Sequence, residues 1–208
     1  MSDYTLAPHS TLICGMQGTG KTTFAFRYLL NVAAACRFIF DDLGQAAARL
    51  NLPHASTAFE LESAIASKWV CFNPHRMFPG HAVDAFRFFC QWSLDVSRRG
   101  PGKKVFFADE IWRWQNGHTI PDELAAISQM GRCEDLELMT ATQVPNKLNS
   151  SIVGSATEAV IFRLDESNAL ETVEDEYGLA PETVRNLPLG TYIAINRVSR
   201  ATLTGRIF

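Results

Sequence analysis

Two glycines bracket a short loop near the start of the chain, and a lysine and a threonine follow the second glycine directly. The loop, Gly15-Met16-Gln17-Gly18-Thr19-Gly20-Lys21-Thr22, fits the pattern G-x-x-x-x-G-K-[ST] at every position. Glycines let the backbone turn tightly, so that consecutive N–H groups can point at phosphate oxygens. A helix that begins near the last glycine would add the positive end of its dipole. The loop therefore predicts a binding site for nucleotide phosphates.

The side chains after the loop have separate expected roles. Lys21 is expected to reach the β- and γ-phosphates, and the hydroxyl of Thr22 is expected to bind Mg²⁺. Thr23 is included among the residues that contact the nucleotide. The predicted cofactors are therefore ATP and Mg²⁺. The alternative, a glycine loop that arose by chance, fits less well because the spacing and both flanking elements agree.

A pair of acids ends an apolar run, Val105-Phe106-Phe107-Ala108-Asp109-Glu110. Asp109 is expected to hold the Mg²⁺, directly or through water. Glu110 is expected to polarise the water that attacks the γ-phosphate. A kinase must avoid hydrolysis and has no use for such a glutamate, so the pair favours an ATPase. The alternative is a solvated strand end.

A polar residue ends a further apolar run, Leu136–Gln143. The run resembles the extra strand that some P-loop ATPases have between the loop strand and the acidic strand, which ends in a polar residue beside the γ-phosphate. Gln143 fits this position, and Thr142 is a lesser candidate. The alternative is an amide that caps the turn before Pro145.

Two further segments could contact DNA or a neighbouring subunit. The first is a basic loop, which can neutralise phosphates without reading bases, or can be a solvated turn. The second, directly after the acidic pair, can line a channel or pack on another subunit, or can hold tryptophans buried at the sheet edge. The basic loop contains Arg98, Arg99, Lys103 and Lys104, and the second segment contains Trp112, Arg113 and Trp114.

The composition restricts the class of protein. The chain has 208 residues, 47% hydrophobic content and a formal charge of −3. It can fill a sizeable core, and the charge argues against a broad basic surface for nucleic acid. The five cysteines are odd in number and form no CxxC pair, which is typical of a reducing compartment. Cysteines and histidines share the region 71–90 without the spacing of a metal site, so core cysteines and surface histidines are expected there.

The termini and the apolar runs give no sign of export or membrane insertion. The start, MSDYTLAPHS, has neither the basic nor the apolar part of a secretory signal. No run reaches the ~18 apolar residues that a membrane helix needs. We expect a soluble, cytoplasmic protein.

The elements that must position these residues alternate between strands and helices. Such alternation predicts an α/β domain with a mainly parallel sheet. We expect one domain over 1–208, with an N-terminal extension at 1–9 and a C-terminal β-hairpin at 188–208. Predicted strands are 10–15, 37–42, 69–72, 104–110, 136–143, 157–164 and the two of the hairpin; predicted helices are 21–35, 56–68, 81–99, 121–132 and 165–178.

The order of these motifs resembles the FtsK/HerA superfamily of P-loop ATPases. The resemblance rests on GMQGTGKT, FFADE, TATQVPNKL and VIFRL, in that order, with a Gly-Arg pair before the sensor strand and LPLGTYIAINR near the end. It covers roughly residues 10–196. It implies a RecA-like (ASCE) P-loop core, assembly into a ring and pumping of DNA.

The length of the chain selects a group within this superfamily. It leaves no room for the membrane, DNA-orienting or barrel domains of other members, and so it is similar to the genome-packaging ATPases of tailless icosahedral viruses with internal membranes. That group implies a ring, a hexamer or pentamer, with double-stranded DNA and a capsid or vertex protein as partners, in the host cytoplasm. The alternatives are a plasmid or chromosome DNA pump, a filamentous-phage-type assembly ATPase, or an ATP-gated assembly protein that does not move DNA.

The catalytic arginine is where the chain departs from the pattern. The family commonly has arginine after the sensor glutamine, where this chain has Val144. Arg132 and then Arg163 are the candidates for an arginine that acts on a neighbour's site; otherwise they are a helix-end and a strand-end arginine. Arg113, the nearest arginine to Glu110, follows a bulky tryptophan and is expected to point away from the phosphates.

Overall fold

A computed structural model describes residues 9–208 of the chain. The predicted N-terminal extension, 1–9, lies outside the described residues except for His9. The carbonyl of His9 accepts a hydrogen bond from the backbone N–H of Leu138 (3.1 Å), at the amino end of the central strands.

Eight strands form one sheet in the order β3-β2-β4-β5-β1-β6-β7-β8. The first six strands along the chain pair in parallel, whereas β7 is antiparallel to β6, and β8 is antiparallel to β7. This arrangement confirms the predicted fold class, a mainly parallel sheet with a C-terminal hairpin at its edge. The strands are β1 Ser10–Cys14, β2 Cys36–Phe40, β3 Trp69–Phe72, β4 Lys104–Ala108, β5 Leu136–Thr142, β6 Glu158–Phe162, β7 Thr191–Asn196 and β8 Thr202–Arg206.

Helices cover both faces of the sheet, and three short ones were not predicted. The helices are α1 Lys21–Asn31, α2 Gln45–Leu50, α3 Ala58–Ala64, α4 Ala82–Ser97, α5 Asp122–Met130, α6 Ser150–Ser155, α7 Ser167–Tyr177 and α8 Pro181–Arg185. The unpredicted α2, α6 and α8 have five or six residues each, too few for a helical repeat of apolar residues to be visible. The predicted helix 21–35 stops at Asn31, because Val32 is extended.

The core lies on both sides of the central strands, which are buried along their whole length. Full burial is expected for parallel strands with helices on both faces. On one face α1 and α2 pack on β4, where Phe26 meets Phe107 edge to face. On the other face α4 contributes Phe86, which stacks on Trp114 at a centroid distance of 5.5 Å. Trp114 is therefore a core residue, as the alternative interpretation held.

The two lysines of the basic loop before β4 have buried partners. The Nζ atom of Lys103 lies 2.8 Å from the carboxylate of Glu137, which is 1% exposed. Lys104 is buried and donates to the carbonyl oxygens of Ser97, Gly100 and Glu134. The two lysines therefore have protein partners, which neither interpretation of the loop anticipated; the two arginines form ion pairs, Arg98 with Asp95 and Arg99 with Glu62.

Replacing Lys103 by methionine is expected to lower the free energy of unfolding by about 2 kcal/mol, measured by urea denaturation. The substitution leaves the buried carboxylate of Glu137 without its cation. The loss stays below that of a fully buried pair because Lys103 is 24% exposed and Thr11 and Tyr28 still donate to Glu137. Arg99→Met, which breaks a half-exposed pair, is the control and should cost less than about 1 kcal/mol. Equal losses in the two variants would contradict this account.

Candidate nucleotide site

The glycine loop begins where β1 ends and is anchored to the strands on either side of β1. The backbone N–H of Gly15 donates to Thr142 at the end of β5 (3.2 Å), and that of Met16 donates to Arg163 after β6 (2.9 Å). Gly18 and Gly20 have φ angles of 79° and 114°, a region that other residues rarely adopt. These two glycines turn the chain so that α1 begins at Lys21.

The loop holds Lys21 and Thr19 against its own backbone. The hydroxyl of Thr19 donates to the carbonyl oxygen of Met16 (2.8 Å), and the Nζ atom of Lys21 donates to the same oxygen (3.2 Å). Burial lowers the pKa of Lys21, while the carboxylates of Glu110 and Asp109 act in the opposite direction. A phosphate would supply a stronger negative partner and would favour the charged lysine further.

Thr22 and Asp109, the predicted metal ligands, are brought together from α1 and from the end of β4. The hydroxyl of Thr22 donates to the Oδ2 atom of Asp109 (3.2 Å). Burial, and then the neighbouring charge of Glu110, raise the pKa of Asp109. A hydroxyl and a carboxylate are both oxygen donors, the kind that Mg²⁺ prefers. The two residues therefore fit a magnesium ion, and such an ion would supply charge neutralisation at the γ-phosphate.

Glu110 and Gln143 are in direct contact. Glu110 adopts a left-handed conformation (φ 47°, ψ 50°) between β4 and the 3-10 turn Ile111–Trp114. Its Oε1 atom accepts from the side-chain amide of Gln143 (2.6 Å), and its Oε2 atom accepts from the indole N–H of Trp112 (2.9 Å) and the backbone N–H of Gln143 (3.3 Å). Both carboxylate oxygens are thus engaged. Oε1 accepts a single hydrogen bond, so it keeps a lone pair that could accept from a water molecule.

A cavity of about 550 Å³ joins these groups into one site. Its wall includes the loop, the acidic pair and Gln143, together with residues that sequence reasoning missed. The missed residues that line it are Phe26, Phe40, Asp41, Asp42, Leu43, Gln45, Ala46, Arg49, Phe107, Arg113 and Phe208.

Arg113 lines the cavity, so the expectation that it points away was wrong. Its Nη2 atom lies 3.3 Å from the Oδ2 atom of Asp42, which follows β2. Because β2 pairs with β4 in the register Phe40 to Ala108, the acids that follow both strands reach the same edge of the sheet. The signal was present in the sequence, since 41–42, like 109–110, is a pair of acids after an apolar strand.

Asp41 organises the side of the cavity opposite the loop. Its carboxylate accepts hydrogen bonds from the backbone N–H groups of Ala46 (3.1 Å) and Ala47 (2.9 Å) and so caps α2. The ring of His54 and the thiol of Cys71 lie 3.2 and 3.5 Å from the same carboxylate. Burial, followed by the charge of Asp41, raises the pKa of Cys71, so this thiol stays protonated.

The two candidate arginines lie at opposite ends of the parallel strands, and neither lines the cavity. Arg132 is exposed in the 3-10 turn Gly131–Glu134 that precedes β5. The turn therefore lies at the amino ends of the parallel strands, whereas the loop lies at their carboxyl ends. Arg163 follows β6 beside its own loop, and its guanidinium pairs with Asp165 (3.3 Å).

None of the helices in the part of the chain that the structure describes is both long and apolar enough to cross a bilayer.

No profile of a known family matches the sequence, and no curated protein is significantly similar to it. Solved structures do match it. The genome packaging NTPase B204 of Sulfolobus turreted icosahedral virus 2, in complex with AMP, superposes with a TM-score of 0.75 and 16% identity, over 96% of this chain and 98% of that one. The same protein has been solved with AMPPCP and with ATP-gammaS.

Two proteins with other names share the fold. VirB4 of Thermoanaerobacter pseudethanolicus matches with a TM-score of 0.69 and 11% identity, over 96% of this chain and 89% of that one. The bacterial conjugative coupling protein TrwB matches with a TM-score of 0.62 and 11% identity, over 96% and 84%. The chain therefore shares the fold of these proteins, a mainly parallel sheet flanked by helices.

Proposed function

We propose that this chain is a Mg²⁺-dependent ATPase that assembles as a ring and translocates double-stranded DNA into a preformed viral capsid. The observation that carries the proposal is the single cavity in which Lys21, Thr22, Asp109, Glu110 and Gln143 converge. Lys21 binds the β- and γ-phosphates, and Thr22 and Asp109 hold Mg²⁺. Glu110 activates water, and Gln143 senses the γ-phosphate through its contact with Glu110.

The packaging role draws support from the extent of the shared fold. The likeness to the packaging NTPase B204 extends over nearly the whole of both chains. The ring would be a hexamer or pentamer, its partners would be DNA and a capsid or vertex protein, and it would work in the host cytoplasm at the virion vertex. The likeness to VirB4 and TrwB supports a second candidate, a DNA pump of plasmid transfer.

DNA-stimulated ATP hydrolysis is the measurement that tests this function. We expect the purified chain to hydrolyse ATP with Mg²⁺ and to do so faster when double-stranded DNA is added. Lys21→Ala should lose ATP binding and keep its thermal melting temperature, because this lysine faces the phosphates.

Each other outcome has a separate meaning. Unchanged ATP affinity in Lys21→Ala would show that the loop does not bind the phosphates. Hydrolysis that DNA does not accelerate would favour an ATP-gated assembly protein. A capsid gene next to this one, rather than conjugation genes, would favour packaging over plasmid transfer.

A further inference from the structure

The residues after β8 lie against the glycine loop and are held there by hydrogen bonds and side-chain packing. The backbone N–H of Gly190, just before β7, donates to the carbonyl oxygen of Thr19 (3.2 Å), and that of Ile207 donates to the carbonyl oxygen of Gly190 (2.9 Å). The side chain of Ile207 is buried and lies so close to Gly20 that a Cβ atom there would overlap it. The C-terminal hairpin is therefore part of the wall that surrounds the loop.

Phe208, the next residue, lines the cavity. Its ring lies against Gly190, where an added Cβ would come within 2.6 Å of it, and it lines the same cavity as Gln17, Gly20 and Thr23. The residue is nevertheless 62% exposed. A large apolar side chain that is held in place and still faces an open cavity offers a stacking surface to a flat ligand.

The topology indicates which part of a nucleotide would meet this ring. The acidic pair follows β4, which lies two strands to one side of β1, whereas the hairpin lies on the other side of β1, beyond β6. The γ-phosphate must face Asp109 and Glu110. The phosphate chain crosses the loop between the two sides, so the base is directed toward the hairpin.

We infer that Phe208 stacks on the base of the bound nucleotide, and that the C-terminal hairpin thereby forms the base subsite of the site proposed above. The inference rests on the proposed nucleotide binding and assigns a residue that no motif includes. Stacking requires a flat ring on the ligand, so purine nucleotides should bind better than a ligand that has phosphates alone.

Binding of ATP and of inorganic triphosphate, both with Mg²⁺, separates the base from the phosphates. We expect Phe208→Ala to weaken ATP binding about tenfold, within the range for losing one base–aromatic stack, and to leave triphosphate binding unchanged. Phe208→Trp should keep ATP affinity. Leu203→Ala is the matched control, because Leu203 is a 56% exposed apolar residue of β8 that does not line the cavity.

Three outcomes would overturn the inference. The first is unchanged ATP affinity in Phe208→Ala, and the second is an equal loss for ATP and triphosphate, which would indicate damage to the loop. The third is a base-specific loss in Leu43→Ala instead, because Leu43 is the exposed apolar residue on the opposite wall. If the unmodified chain binds neither ligand, the phosphate site itself is wrong and the proposed function fails with it.

Discussion

Mixing two inactive variants is expected to restore ATP hydrolysis if an arginine of one subunit completes the site of the next. The transition state of phosphoryl transfer gathers charge on its equatorial oxygens, and an arginine there contributes about 10³- to 10⁵-fold in rate. Arg132→Ala should therefore be nearly inactive alone. Lys21→Ala should be inactive as well, because its own loop cannot hold ATP.

We propose Arg132 rather than Arg163 for this role. Arg132 is exposed at the amino edge of the sheet, and the nucleotide cavity opens at the carboxyl edge. A head-to-tail ring joins two different surfaces of the same chain, so a residue that serves a neighbour's site should lie far from its own site. Arg163 lies beside its own loop and is already paired with Asp165.

In a random one-to-one mixture, about a quarter of the interfaces combine an intact loop from Arg132→Ala with an intact arginine from Lys21→Ala. Activity should return to roughly that fraction. Glu110→Gln is the matched control, because Glu110 lines the same cavity as the loop of its own chain. No interface formed by mixing Glu110→Gln with Lys21→Ala has an intact site, so that mixture should stay inactive.

The same variants also test the alternative, a catalytic cation that belongs to the same chain as the loop. If Arg132→Ala and Arg163→Ala both keep their activity while Arg113→Ala loses it, the catalytic cation acts within one chain. The ring-interface site would then be wrong. Activity that does not depend on protein concentration would point to the same conclusion.

The elements that carry motifs could be predicted from the sequence, and the contacts between distant segments could not. The strands before Gly15 and Asp109 are apolar runs that end in residues able to bind phosphate or metal. The pattern therefore predicts both the strand and the functional residue at its end. Phe208 gave no such signal, because its position in the cavity depends on how the hairpin pairs with β6. A local sequence pattern does not show where in the sheet a distant hairpin will pair.

The surroundings of charged residues could not be predicted from the sequence for a related reason. The basic loop at 98–104 reads as a surface patch because four cations stand close together in the sequence. Whether such a group is free depends on partners elsewhere, and here Glu137 lies on the neighbouring strand. Arg113 was misjudged in the same way, since its partner Asp42 lies 71 residues earlier in the chain.

Replacing Glu110 by glutamine is expected to leave ATP binding intact and to slow hydrolysis at least ~10²-fold, the low end for removing a general base. The amide keeps the shape of the side chain and the left-handed backbone at this position. It also keeps an oxygen that can accept from Gln143 or Trp112. It cannot take up a proton from water at neutral pH, so the loss should fall on the chemical step.

Asp109→Asn is the informative comparison, because Asp109 and Glu110 are adjacent but have different expected roles. Removing the charge of Asp109 should weaken Mg²⁺-dependent ATP binding, whereas Glu110→Gln should not. Single-turnover hydrolysis and equilibrium binding, measured on both variants, separate the two effects. Near-normal turnover in Glu110→Gln would move the base to another acid of the cavity. Asp109, Asp41 and Asp42 line the same cavity; the carboxylate of Asp41 caps α2 and that of Asp42 pairs with Arg113, which leaves Asp109 as the first alternative.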